Sequence, residues 1–285
     1  MSPPPPHAQS LIEMLGQEPH ANRSSTRMLE EIGVRFMDPK DAMERGRRLE
    51  DKGNDEAALR LYVKLLEHHP EYTPAMDAAG EIMAEMGDVE GARELVTRSI
   101  ELDPDGGYPK YVLAGHLEQG RAAIASFTTG LALLGREHGE LEARAREGAG
   151  AAARACEEEL AATRKRMSAV MSAMAKVYLT DMYAEAGSSA QCEALLDKAL
   201  RHDSENPEAC QALADLRLTQ GRQGEALLLA RRTAEICVRC PEGMVPTYDF
   251  RVVTARLLVE LSEYRDASRL LEDLVVEDEE DTEAW

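Results

Sequence analysis

Between Tyr72 and Asp105 the apolar positions fall into two stripes of helical spacing separated by a break. Ala75, Ala79, Ile82 and Met83 form the first, Gly87-Asp88 interrupts it, and Ala92, Leu95, Val96 and Ile100 form the second, which Asp103-Pro104 closes. Apolar residues at i, i+3 and i+4 predict amphipathic helices. The glycine supplies a turn, and the proline cannot continue a helix. The stretch therefore predicts a helical hairpin, with Gly80 and Ala92 kept small where the two helices approach closely.

The same punctuation returns along the chain. Gly46, Gly53, Ala58 and Pro70 stand 34 residues before Gly80, Gly87, Ala92 and Pro104, with no gap. A third copy with a shortened first helix carries Gly115, Ala123, Phe127 and Gly130. A fourth places Gly187, Cys192, Leu196 and Ala199, and a fifth follows 34 residues on with Gly221, Ala226, Ala230 and Thr233. After seven inserted residues a sixth reads Ser262, Tyr264, Ala267, Leu271 and Leu274. Trp285 falls where a seventh unit would place its first large residue, so the chain is expected to end in a truncated hairpin. A 34-residue unit of this kind resembles the tetratricopeptide repeat (TPR). The expected fold is all-α, a TPR superhelical solenoid of about six hairpins plus part of a seventh. Residues 1–38, with four consecutive prolines and few apolar positions, are expected to be a disordered tail. Within it, the patch Leu11, Ile12, Met14 and Leu15 is either part of that tail, a short partner-binding helix, or a segment that folds back on the array. Repeats one to three occupy 39–134 and repeats four to six 176–285. Between them, 135–175 lacks repeat punctuation and is rich in Ala, Glu and Arg, which predicts one long inserted helix, either a stiffener or a separate contact surface.

Charge narrows the function. The formal net charge is −20 and aromatics make up 4% of the residues, which argues against direct binding of nucleic acid or an anionic membrane and favours a basic partner. No apolar run long enough to cross a membrane and no signal segment appears, so an intracellular, soluble protein is expected. The five cysteines are scattered, and Cys156, Cys192 and Cys210 occupy packing positions. Cys237-Val238-Arg239-Cys240 is the one pattern resembling thiol or zinc chemistry. It ends a repeat helix rather than beginning one, and lacks the further ligands that a zinc site requires. With no phosphate-binding glycine loop and no catalytic motif, a non-enzyme without metal or cofactor is expected.

In TPR arrays the first helices line the concave wall. By that resemblance the inward positions here include Glu50 and Asp51, then Asp77, Glu81 and Glu85, and further along Asp181, Glu185, Asp215 and Glu260, interspersed with Met43, Arg47, Gln211 and Arg256. These acids are either a solvated face or a wall whose summed field attracts a basic ligand, with Met43 and Val252 as apolar anchors. Arrays that grip heat-shock chaperone carboxylates use Lys and Asn there, and none of the repeats carries that set.

Three phrases are more particular than a generic repeat: Tyr178-Leu179-Thr180-Asp181, Asn206-Pro207-Glu208-Ala209 and Tyr248-Asp249-Phe250-Arg251. Together with the feature order they resemble the dedicated assembly chaperones of large-subunit ribosomal protein L-four over Lys40 to Trp285. That resemblance implies a protein, cytoplasmic and nuclear, that captures the newly made ribosomal protein by its long basic internal loop, keeps it soluble and escorts it to nuclear pre-ribosomes; a monomer is expected. The alternative is an acidic adaptor for another basic protein, such as a histone or a different ribosomal protein.

Overall fold

The computed structural model describes residues 38–240 and 246–277, and these contain twelve α-helices and no strand. The tail with its Leu11–Leu15 patch and the start of a seventh hairpin lie outside them. The chain divides into two compact units, Met1–Glu118 and Gln119–Trp285.

The first unit holds α1 (Pro39–Glu50), α2 (Asp55–His68), α3 (Thr73–Glu85), α4 (Val89–Leu102) and α5 (Pro109–Leu117). α1 pairs with α2 and α3 with α4, while α5 packs on α3 and α4. First helices open on a proline, as α1, α3 and α5 do, because its missing N–H falls where a helix has no partner to offer and its φ is already helical. Second helices are capped: Asn54 and Asp88 accept from the N–H of Ala57 and Gly91 at 3.3 and 3.0 Å, satisfying donors that the first turn leaves unpaired. The core runs through the contact stripe, with Ala42, Tyr62, Leu65, Ala79 and Ala92 fully enclosed. Gly46 is small because of Tyr62: a Cβ at that position would lie 2.2 Å from the Tyr62 ring.

The second unit comprises α6 (Gly120–Glu147), α7 (Ala151–Thr180), α8 (Ser188–His202), α9 (Pro207–Thr219), α10 (Gln223–Arg239), α11 (Tyr248–Glu260) and α12 (Tyr264–Glu277). Each packs on its chain neighbours, α7 also on α9 and α10 also on α12. Four hairpin turns, two in each unit, close alike. The N–H of Asn54, Asp88, Arg222 and Glu263 donates to the carbonyl of Leu49, Met83, Arg217 and Leu258 at 2.8–2.9 Å, the Schellman arrangement. It requires a left-handed residue, supplied by Gly53, Gly87 and Gly221, and in the last hairpin by Ser262 at φ 63°.

The stretch expected as one inserted helix over 135–175 is shared between two helices. α6 runs unbroken past Gly135 and Gly139 to Glu147, and α7 starts after a turn at Gly148–Gly150 whose last residue has φ 64°. The physical reason is packing. α6 and α7 lie along each other and bury Leu134, Leu141 and Leu160, enough to offset the roughly 1 kcal/mol that each helical glycine costs. The block expected at 39–134 is likewise divided, since α5 is held by α3 and α4 whereas α6 is held by α7.

Candidate functional site

α3 carries Asp77, Glu81 and Glu85 at i, i+4 and i+8, which places them on one helix face. Glu81 reaches solvent, yet its carboxyl is held above the ordinary range, first by desolvation and then by the charges of Asp77, Glu50 and Glu85. These four carboxylates form one electrostatic cluster in the first unit. Within it the side chains differ in freedom. Glu85 is exposed. Glu50 accepts from the Tyr62 hydroxyl, and burial followed by this bond pushes the phenol far above its usual range. Asp77 faces inward toward Ser99 of α4 and Lys110 of α5, with its own carboxyl raised by burial against their opposing pull. Lys110 is 2% exposed and donates to the Asp103 carbonyl. Asp51 is exposed at the end of α1.

In the second unit the expected acids have separate surroundings. Asp181 Oδ2 accepts from the Gly120 N–H at 2.8 Å, capping α6, while its Oδ1 meets Thr180 Oγ1 at 3.0 Å. Glu185 pairs with Arg121 at 3.2 Å. Asp215 on α9 and Glu260 at the end of α11 are exposed on different helices. Gln211 is turned between α9 and α11, where its Nε2 donates to the Phe250 carbonyl at 2.9 Å and to Thr254 Oγ1 at 2.7 Å. Met43 and Val252 are 5% and 7% exposed, which corrects the expectation that they anchor a client: both are used up in the core.

The cysteine pair sits at the end of α10. Cys237 is buried against Ala255 and Leu270, and burial, with Cys240 beside it, pushes its thiol up to about 11. A thiol so poorly ionised is a weak nucleophile. Among the described residues, no group of three or more His, Cys, Asp or Glu is placed to hold a metal ion, and no helix is long and apolar enough to cross a membrane.

Sequence reasoning missed the Arg217 network. Its side chain is 6% exposed and reaches Glu193 at 2.6 Å, Glu225 at 3.3 Å and Asp197 at 3.9 Å, joining α9 to α8 and α10. The available signal was a charge inside the buried stripe Cys210, Leu213, Ala214.

A scan against protein-family models finds no match. A curated protein of Schizosaccharomyces pombe described as a probable assembly chaperone of rpl4 is 30% identical over 246 residues, covering 82% of this chain and 68% of that protein. One of Emericella nidulans with the same description is 28% identical over 256 residues, covering 87% of this chain and 63% of the relative's length. Among solved structures, one described as Assembly Chaperone of RpL4 (Acl4), residues 1-338, superposes with a TM-score of 0.77 at 28% identity, over 87% of this chain and 93% of that one.

Proposed function

The chain belongs to the family of assembly chaperones of rpl4, and from that premise we propose that it is a non-catalytic binding protein for newly made ribosomal protein L4. It takes the long basic internal loop of the client, keeps the protein soluble as a one-to-one complex with a single chain, and escorts it from cytoplasm to nuclear pre-ribosomes. The observation that carries this reading is the carboxylate cluster of the first unit. The exposed Glu81 and Glu85, with the charges of Asp77 and Glu50 behind them, repel one another in the isolated protein, and a basic segment laid across Glu81 and Glu85 offsets that repulsion while gaining attraction. An extended loop suits such a wall because it presents many cations to partly solvated acids, and its ordering is offset by several modest ion pairs.

The test is calorimetric titration with the L4 internal loop at two salt concentrations, for the wild type and for Glu81→Lys with Glu85→Lys. Asp77 is left intact because it is packed against Ser99 and Lys110. The double reversal is expected to weaken binding by about tenfold or more at low salt, with the difference shrinking as salt screens the charges. Equal affinity of the two proteins, or equally tight binding of an unrelated basic protein such as a histone, would remove the reading.

A further inference from the structure

Where α6 begins, α7 ends and α8 begins, the second unit has a cleft of about 420 Å³. Ile124, Tyr178 and the 7% exposed Met182 give it an apolar and aromatic lining, Gln191 adds an amide, and Arg121 and Glu185 lie across from each other at 3.2 Å. Asp181, four residues before Glu185, is not among the residues that line the cleft: its Oδ2 accepts from the Gly120 N–H and its Oδ1 meets Thr180 Oγ1. By capping Gly120 it also fixes the start of the helix from which Arg121 projects. Glu185 is therefore the carboxylate that the cleft can offer. Its present partner is held loosely, since the Arg121 side chain is 82% exposed and an exposed ion pair of this kind contributes little.

Resting on the reading of a basic client, we propose that this cleft is a subsite for an arginine side chain of the client, and that Arg121 is an internal stand-in which the client guanidinium displaces from Glu185. The incoming stem lies along Met182 and the Tyr178 ring, and the planar fork meets the Glu185 carboxylate in two-point fashion with the Gln191 amide oxygen beside it. Arginine suits the site better than lysine. Its guanidinium is flat, weakly hydrated and stacks on aromatic rings, whereas an ammonium is compact and strongly hydrated. A cleft of this volume falls within the range of ligand sites, about 300–1,000 Å³. The stand-in also confers selectivity, because isolated cations must compete with a side chain already in place whereas a client with several contacts can afford the exchange.

The sign of the Arg121→Ala effect is the test. Affinities are measured for the L4 internal loop and, separately, for nona-arginine and nona-lysine, using the full chain. Arg121→Ala is expected to tighten binding of the loop and of nona-arginine by about two- to fivefold, and to tighten nona-lysine less. Arg146→Ala removes the same charge 25 residues further along α6, about 37 Å away, and is expected to change affinity much less. Glu185→Gln should weaken binding about two- to fivefold, and in the double variant the gain from Arg121→Ala should vanish. A gain no larger than that of Arg146→Ala, or one that survives loss of Glu185, would overturn the subsite. Absence of loop binding by the wild type would overturn the proposed function instead, and the nona-arginine comparison would still decide the cleft. Unchanged far-ultraviolet dichroism controls for folding, since the altered side chains are exposed.

Discussion

Replacing Glu81 by glutamine should move stability and client binding in opposite directions. Asp77 and Glu85 stand four residues either side of Glu81, and each like-charge pair at that spacing destabilises a helix by about 0.2–0.5 kcal/mol. Two such pairs, with Glu50 across from α1, make the expected gain of Glu81→Gln about 0.5–1 kcal/mol at neutral pH. The pH dependence has a definite sign. A carboxyl whose folded pKa is raised favours the folded state below the unfolded value, and that contribution is lost as pH rises through the folded value. The advantage of the glutamine variant should therefore be present at pH 7 and shrink as the carboxylates are protonated toward pH 4. Urea titrations followed by dichroism at the two pH values measure it, and titration with the L4 loop measures the other side, where one lost charge should weaken binding about two- to fivefold. Destabilisation by Glu81→Gln at pH 7, or a gain independent of pH, would mean that the carboxylates do not repel one another in the folded chain.

Gly46→Ala drives a Cβ to within 2.2 Å of the Tyr62 ring and should cost about 1–3 kcal/mol, read as a lower urea midpoint. Ser262→Gly relieves the left-handed backbone of a non-glycine residue at φ 63° and should raise stability by about 0.5–1 kcal/mol. Arg217→Ala leaves Glu193 and Glu225 without their buried partner and should cost about 1–3 kcal/mol, with Arg217→Met less harmful. Glu193 is held below the carboxylate range by hydrogen bonds from Gln220 and then Arg217, so its contribution is present above the unfolded pKa and should fade as acid titrates it, opposite in sign to Glu81. Cys237→Ala with Cys240→Ser should leave client affinity unchanged, and a loss of bound zinc together with helicity would contradict the packing role assigned to the buried thiol.

The hairpins, their turns and their closing residues were legible in the sequence because a repeat is a local object. A 3.6-residue stripe, a left-handed glycine and a helix-opening proline each act within a few residues of one another, and those choices recur at a fixed spacing. The alignment of Asp77, Glu81 and Glu85 was readable for the same reason, since three residues four apart on a helix must share a face. What the tertiary structure decided was which groups are spent on holding the array together. Asp181 caps a helix that begins 61 residues earlier, Arg217 collects carboxylates from two other helices, and Met43 and Val252 are enclosed by neighbours that the repeat pattern does not specify. The course of the long Ala-rich stretch was decided in the same way: α6 continues through two glycines because α7 packs along it, and only the pairing of the two helices makes the turn at Gly148–Gly150 the place where the chain reverses. Burial and partnering depend on side chains brought together from distant positions, whereas helix periodicity depends on near neighbours alone.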